Sequence, residues 1–109
     1  MKKRWISVCR TQEVLPDSGV CALVEGKQIA IFRTAIDDSF YSLDNFDPIA
    51  QVNILSRGLI GEKEERQVVF SPLFKDAFCL SSGECISNQD YSVATYPIRV
   101  VDQIIEVAL

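Results

Sequence analysis

Val20-Cys21-Ala22-Leu23-Val24, then Glu25-Gly26-Lys27, then Gln28-Ile29-Ala30-Ile31-Phe32-Arg33: this stretch decides the fold. Both outer runs are rich in β-branched and aromatic residues, and between them a glycine supplies the positive φ of a tight hairpin. Working outward, Asp37-Asp38-Ser39 is a second turn, and Phe40-Tyr41-Ser42-Leu43 a short alternating strand, so the three runs form an antiparallel meander. At the N-terminal side, Ile6 and Val8 share one face of a strand; Thr11 caps a single helical turn that stops at Pro16-Asp17-Ser18-Gly19. No stretch longer than about ten residues keeps a helical period, and the expected class is an all-β single domain over residues 1–109.

The C-terminal part repeats the pattern. Residues 67–71 and 77–80 read as strands, Ser81-Ser82-Gly83-Glu84 as a turn before Cys85-Ile86, and residues 96–101 and 104–109 as a last hairpin about Asp102-Gln103. Tyr96, Ile98 and Val100 are expected on one face, as are Ile105, Val107 and Leu109. Between residues 44 and 66 the pattern fails: Pro48, Asn53, Gly58 and Gly61 punctuate it while Ile49, Val52, Ile54, Leu55, Leu59 and Ile60 stay apolar. Such a loop is expected either to tuck against the core or to serve a partner. Glu62-Lys63-Glu64-Glu65-Arg66 reads as a solvated tip.

Composition narrows the chemistry. With 109 residues, 48% hydrophobic, the chain has enough apolar content for one core. A net charge of −4 repels a polyphosphate backbone, so nucleic acid is not an expected partner. The basic start is followed by an apolar run that Arg10 interrupts, and no later run approaches the ~18 residues that span a bilayer. Neither a leader nor a membrane segment is expected, and the protein reads as cytoplasmic. Its four cysteines, Cys9, Cys21, Cys79 and Cys85, then read as reduced, small core residues, with a redox pair of Cys79 and Cys85 across their turn left open. The thiolate spacings do not suit structural zinc. There is no histidine to serve a cysteine nucleophile, and no glycine-rich phosphate motif. The residues alone describe a binding or accessory domain.

A more specific pattern lies in Phe40-Tyr41-Ser42-Leu43-Asp44-Asn45-Phe46-Asp47-Pro48, followed by Leu55-Ser56-Arg57-Gly58-Leu59-Ile60-Gly61, Val68-Val69-Phe70-Ser71-Pro72-Leu73-Phe74 and the Gly83 turn. It resembles a Rieske domain, an antiparallel β sandwich or barrel, with its ligands replaced. Asn45 and Asp47 stand where the family's first loop has Cys-x-His, and Ser71 and Phe74 where the second has Cys-x-x-His. Nearly the whole chain is similar to one such family in particular, the small subunit of NAD(P)H-dependent, sirohaem-containing nitrite reductase. The resemblance implies no cofactor in this chain, a large-subunit partner carrying FAD, an iron–sulfur cluster and sirohaem, and an accessory part in reducing nitrite to ammonium. It also implies contact through the two loops and the turn beside them: Asn45, Asp47, Arg57, Ser71 and Phe74. The alternative for Asp47 and Ser71 is that they only bond the loops together. A cluster-free stand-alone binding module and a thiol-redox protein remain as alternatives, and the apolar loop leaves room for weak self-association.

Overall fold

The computed structural model describes residues 3–109 as an almost wholly β architecture, with two short 3-10 turns at Thr11–Glu13 and Leu55–Arg57. Its centre is the hairpin of β2 (Ser18–Val24) and β3 (Lys27–Arg33), closed by the two-residue turn Glu25-Gly26 with φ of 50° and 83°. Positive φ at both turn positions matches the right-handed twist of the strands, and glycine takes it without a Cβ clash. β4 (Phe40–Asp44) pairs with the other edge of β3, and β10 (Thr95–Tyr96) with β4.

β3 is covered on both faces. Ile29 and Ile31 point into one core with Val14, Val24, Ile105 and Val107; Ala30 and Phe32 point into a second with Leu43, Leu55, Val69, Phe78, Leu80, Cys85 and Val93. The strand period of two sorts the continuous run Ile29-Ala30-Ile31-Phe32 between the two layers. The first layer is closed by β1 (Trp5–Arg10), β12 (Ile104–Ala108) and β11 (Ile98–Val101), in the order β1-β12-β11. The second is closed by β7 (Leu59–Lys63), β8 (Arg66–Phe70) and β9 (Ala77–Cys79).

Several sequence expectations change here. The stretch expected to be irregular contains β5 (Phe46–Asp47), β6 (Val52–Asn53), the second 3-10 turn and β7. It does tuck inward: Leu55 is fully buried and Ile49 and Ile60 pack on the second core. The charged run is solvated as expected, all five residues being exposed, and it forms the end of a hairpin, with Glu64 and Glu65 at φ of 51° and 63° between paired Lys63 and Arg66. Pro97 cuts the expected strand of residues 96–101, so Tyr96 pairs with Ser42 of β4 while Ile98 pairs with Val107 of β12. The first 3-10 turn is capped from Arg10, whose N–H donates to Glu13 Oε1 at 3.2 Å, and Thr11 lies inside it.

Phe78 is fully buried in the second core. Phe78→Ala is expected to lower the unfolding free energy by about 3–5 kcal/mol, read as a reduced urea midpoint at unchanged slope.

Candidate functional site

At one end of the second layer two loops meet. The first leaves β4 at Asp44 and runs through β5 and β6 to the 3-10 turn; the second joins β8 to β9 across residues 71–76. Three of the side chains picked from the sequence hold these loops, and all three are buried: Asn45 is 3% exposed, Asp47 and Ser71 0%.

Asn45 fixes the first loop to its surroundings. Its side-chain oxygen accepts the Ser56 N–H at 2.7 Å, and its amide donates to Gln28 Oε1 at 3.0 Å and to Cys21 Sγ at 3.5 Å. Its backbone carbonyl accepts from Ile54 and Leu55 at 2.9 and 3.0 Å. One residue thus joins the β2–β3 hairpin, the first loop and the 3-10 turn. Asp47 folds the same loop on itself, since Oδ1 accepts the Ile49 and Ala50 N–H groups at 2.8 and 3.1 Å, an Asx turn that Pro48 accommodates.

The other oxygen of Asp47 bridges the loops: Ser71 Oγ donates to Asp47 Oδ2 at 2.5 Å. Ser71 in turn closes its own loop, its N–H donating to Asp76 O at 2.9 Å and its carbonyl accepting from Lys75 N–H at 3.0 Å. Buried polar groups left without partners are costly, and here each is satisfied.

The remaining two candidates face outward. Phe74 is 64% exposed at the crest of the second loop. Arg57 is exposed and forms no ion pair among the described residues. It is held beside the loops because Gly58, its neighbour, lies against Phe70, where an added Cβ would meet the Phe70 carbonyl oxygen at 2.4 Å. Sequence reasoning missed Phe46 and Leu73, and named Val52 only among the apolar residues of its loop; they are 43%, 52% and 37% exposed on the same two loops. Their signal was available as apolar residues inside turn chemistry, next to Asn45 and Asp47 and just after Ser71-Pro72.

A Rieske centre takes two thiolates on one iron and two imidazoles on the other. At the corresponding positions stand an amide, a carboxylate, a hydroxyl and a phenyl ring, and the chain has no histidine, so this donor set does not fit that cluster. The cysteines stand apart from the site, apart from Cys21, whose exposed thiol touches Asn45. Cys79 and Cys85 do not face each other as the sequence allowed. Cys85 bridges Phe78 across the ladder and joins it in the core, whereas Cys79, the next residue along β9, points to the opposite face. Burial pushes the Cys79 thiol up, but hydroxyl and amide donors from Ser81 and Ser82 outweigh it and bring the thiol from 9.0 down to about 7.

Residues 4–108 match the Rieske-like [2Fe-2S] domain family. The chain is 41% identical to the nitrite reductase (NADH) small subunit of Salmonella typhimurium, over 94% of this chain and 95% of that one. It is similar to the crystal structure of the NADH-dependent nitrite reductase small subunit from Mycobacterium tuberculosis, at a TM-score of 0.94 and 35% identity over 100% and 97% of the two chains. It is also 33% identical to part of a Klebsiella oxytoca protein named nitrite reductase [NAD(P)H] large subunit, a match spanning 88% of this chain and 10% of that protein.

Two outcomes are expected from variants here. Ser71→Ala is expected to cost about 1–3 kcal/mol, because it leaves Asp47 Oδ2 buried without its donor; Asp47→Ala, which frees three donors, is expected to cost more, both read by denaturant unfolding. An ultraviolet thiolate titration is expected to show a step near pH 7 that Cys79→Ser lacks. Since the folded thiol titrates below its unfolded value, its ionisation stabilises the fold fully above pH 9, and that contribution fades as pH falls through 7.

An antiparallel β domain whose two apical loops are joined by Asp47 and Ser71, and which matches these relatives along nearly its full length, belongs to the Rieske-like [2Fe-2S] domain family and, within it, to the small subunits of NAD(P)H-dependent nitrite reductase.

Proposed function

We propose that this chain serves a cytoplasmic nitrite reductase as an accessory subunit that carries no redox centre and acts by binding the large subunit. The observation that carries the reading is the Ser71–Asp47 hydrogen bond at the place where the two cluster-bearing loops of a Rieske domain meet. Electron transfer through this domain would need ligands that these positions do not supply. What the loops retain is shape. Fixed by Asn45, Asp47 and Ser71, they present a surface that loses little conformational freedom on association, which leaves more of the contact energy for affinity.

FAD, the iron–sulfur cluster and sirohaem then belong to the large subunit, with nitrite reduced to ammonium there by electrons from a nicotinamide cofactor. In the Klebsiella oxytoca relative a domain similar to this one stands inside a chain named as the large subunit, which supports direct attachment between the two parts. No helix among the described residues is long and apolar enough to cross a membrane. Of the five residues picked from the sequence, the exposed Arg57 and Phe74 are the ones that would touch the partner, while the buried Asn45, Asp47 and Ser71 would set the loops that carry the contact.

The test is to purify the chain, assay its iron and visible absorption, and mix it with a large subunit loaded with its cofactors. A colourless, iron-free chain that co-elutes with the large subunit and changes NAD(P)H-dependent nitrite turnover is the expected result. Stoichiometric iron with Rieske-type absorption would overturn the cluster-free part. Failure to co-elute, with no effect on turnover, would overturn the accessory part.

A further inference from the structure

The sheet β7-β8-β9 ends on an open strand. A two-residue turn, Glu64-Glu65, makes its flanking pair, Lys63 and Arg66, a hydrogen-bonded one, and with it every second pair along the ladder: Gly61 with Val68 and Leu59 with Phe70. The alternation turns the N–H and C=O groups of Ile60 and Glu62 away from β8. On β8 the matching groups face β9, where the Gln67 carbonyl accepts the Leu80 N–H at 3.0 Å. On β7 they face no strand, and no hydrogen bond reaches them among the described residues. The other sheet edges are covered or cut short. β1 carries a register shift between Ser7 and Cys9, β9 is bridged to Cys85 through Phe78, and β5, β6 and β10 have two residues each. β11 begins after Pro97 and lies against β4, and β2 is covered at Gly19, where an added Cβ would meet the Ser56 carbonyl oxygen at 2.7 Å.

Beside this edge opens a crevice of about 200 Å³, with Ile60, Glu62 and Gln67 on one side and Asp17, Thr34 and Ile36 on the other. Its charge is of one sign. Asp17 and Glu62 line it, and Asp37, bonded to Thr34 and Gln67, adds a third carboxylate next to it. The cations of the neighbouring segments are engaged or turned away: Arg33 is bridged to Asp38, Arg66 to Glu84, and Lys63 lies on the opposite face of β7 from Glu62. Apolar surface frames the carboxylates, since Ile36 is 81% exposed on the far lip and Ile60 half-buried on the near one. Gln67 adds an independent mark. Its Oε1 is the one buried side-chain oxygen or nitrogen among the described residues that has no hydrogen-bond partner. The amide is held by a long bond of 3.4 Å from Nε2 to Asp37, so it can turn at little cost to meet a donor placed in the crevice.

We infer that β7 is a strand-docking edge, which takes an extended segment of a partner protein carrying Lys or Arg at alternate positions. The inference is independent of the accessory-subunit reading and of the loop contact that reading uses. A segment laid antiparallel beside β7 bonds to the backbone of Ile60 and Glu62 and adds a fourth strand to the sheet. Its side chains alternate between two faces. Those opposite Ile60 and Glu62 enter the crevice, where a Lys or Arg lays its stem on Ile36 and Ile60 and sets its head among Asp17, Glu62 and the free Gln67 acceptor. Those between them meet Leu59, 72% exposed on the other face, and are apolar. A second copy of this chain is the poorer occupant. Paired antiparallel about Gly61, each β7 would offer Glu62 to the other's crevice, carboxylate against carboxylate. The charge of the crevice therefore selects the strand that the open ladder holds.

The experiment titrates the full isotope-labelled chain with a seven-residue peptide, blocked at both ends, that alternates lysine and valine, and follows the backbone amides by NMR and by hydrogen exchange. Saturable shifts centred on Ile60, Glu62 and Gln67 are expected, with slowed exchange of the Ile60 and Glu62 amides. Glu62→Lys is expected to weaken binding roughly tenfold or more. Glu62→Pro, which removes an outward N–H and leaves the β7–β8 bonds in place, is expected to abolish it. Leu23→Ser, at an exposed position on β2, binds as wild type does. Amide spectra check that each variant keeps its fold. The same peptide N-methylated at its lysines makes the ladder test with the protein unaltered, and it is expected not to bind. Shifts that are absent or spread over the whole surface would overturn the proposal, as would equal binding by a glutamate–valine peptide or by the N-methylated one, or undiminished affinity of Glu62→Lys.

Discussion

The hydrogen bond from Ser71 to Asp47 is the constraint on which the two-loop end of this protein depends. In a Rieske domain two loops far apart in sequence are joined through iron; here the same loops are joined through a hydroxyl and a carboxylate. The substitution is not one bond for one cluster. A single hydrogen bond to a charged group contributes about 1.5–3 kcal/mol, well below what a structural metal supplies. The difference is spread over Asn45, which links three segments, and over the Asx turn at Asp47, so that each loop is folded before the bridge joins them. Because these polar atoms are buried, the network favours one arrangement: any loop displacement leaves a donor or acceptor without a partner in a place water does not reach.

That arrangement is possible because the scaffold beneath it is fixed by β3. Covered on both faces, β3 sets the spacing of the two cores, and its partner β4 delivers Asp44 and Asn45 to the rim of the second. Gln28, at the start of β3, accepts from the Asn45 side chain and bonds its backbone, so the register of the central hairpin directly determines where the first loop begins. A one-residue slip would exchange Ile29 and Ile31 with Ala30 and Phe32 between the cores and move the Asn45 anchor off its partner. Core packing and loop geometry are therefore one problem in this protein.

How far the sequence disclosed this varies by element. The β2–β3 hairpin was legible because glycine, turn length and strand composition agree, and the two loops at one end were legible because Ser71-Pro72 and Asn45-Phe46-Asp47 keep their place between recognisable strands. The segment 44–66 was not. β5 and β6 have two residues each, too few to show a period, and the hydrogen bonds that organise them come from the Asn45 and Asp47 side chains. The sequence grouped Asn45, Asp47, Arg57, Ser71 and Phe74 as equals, but burial divides them into three that hold the loops and two that face outward. Nor did it separate Phe46 and Leu73 from core residues, since an apolar side chain reads alike whether it packs or projects. The facing of Cys79 was equally hidden, because it follows from the pairing of Phe78 with Cys85.

The direction of the replacements carries one more step of reasoning. If stability were the only demand at these four loop positions, they would be polar outside and apolar inside, as surfaces and cores generally are. At these positions the reverse has happened. Asn45, Asp47 and Ser71, which face inward, are polar; Phe74, which faces outward, is a phenyl ring, accompanied by Leu73 and Phe46. Inward polarity costs desolvation and is recovered only through the satisfied network, and outward apolar groups gain nothing from solvent. The two features form one device: the inner network fixes the course of both loops, and the outer rings stand on the crest that it sets.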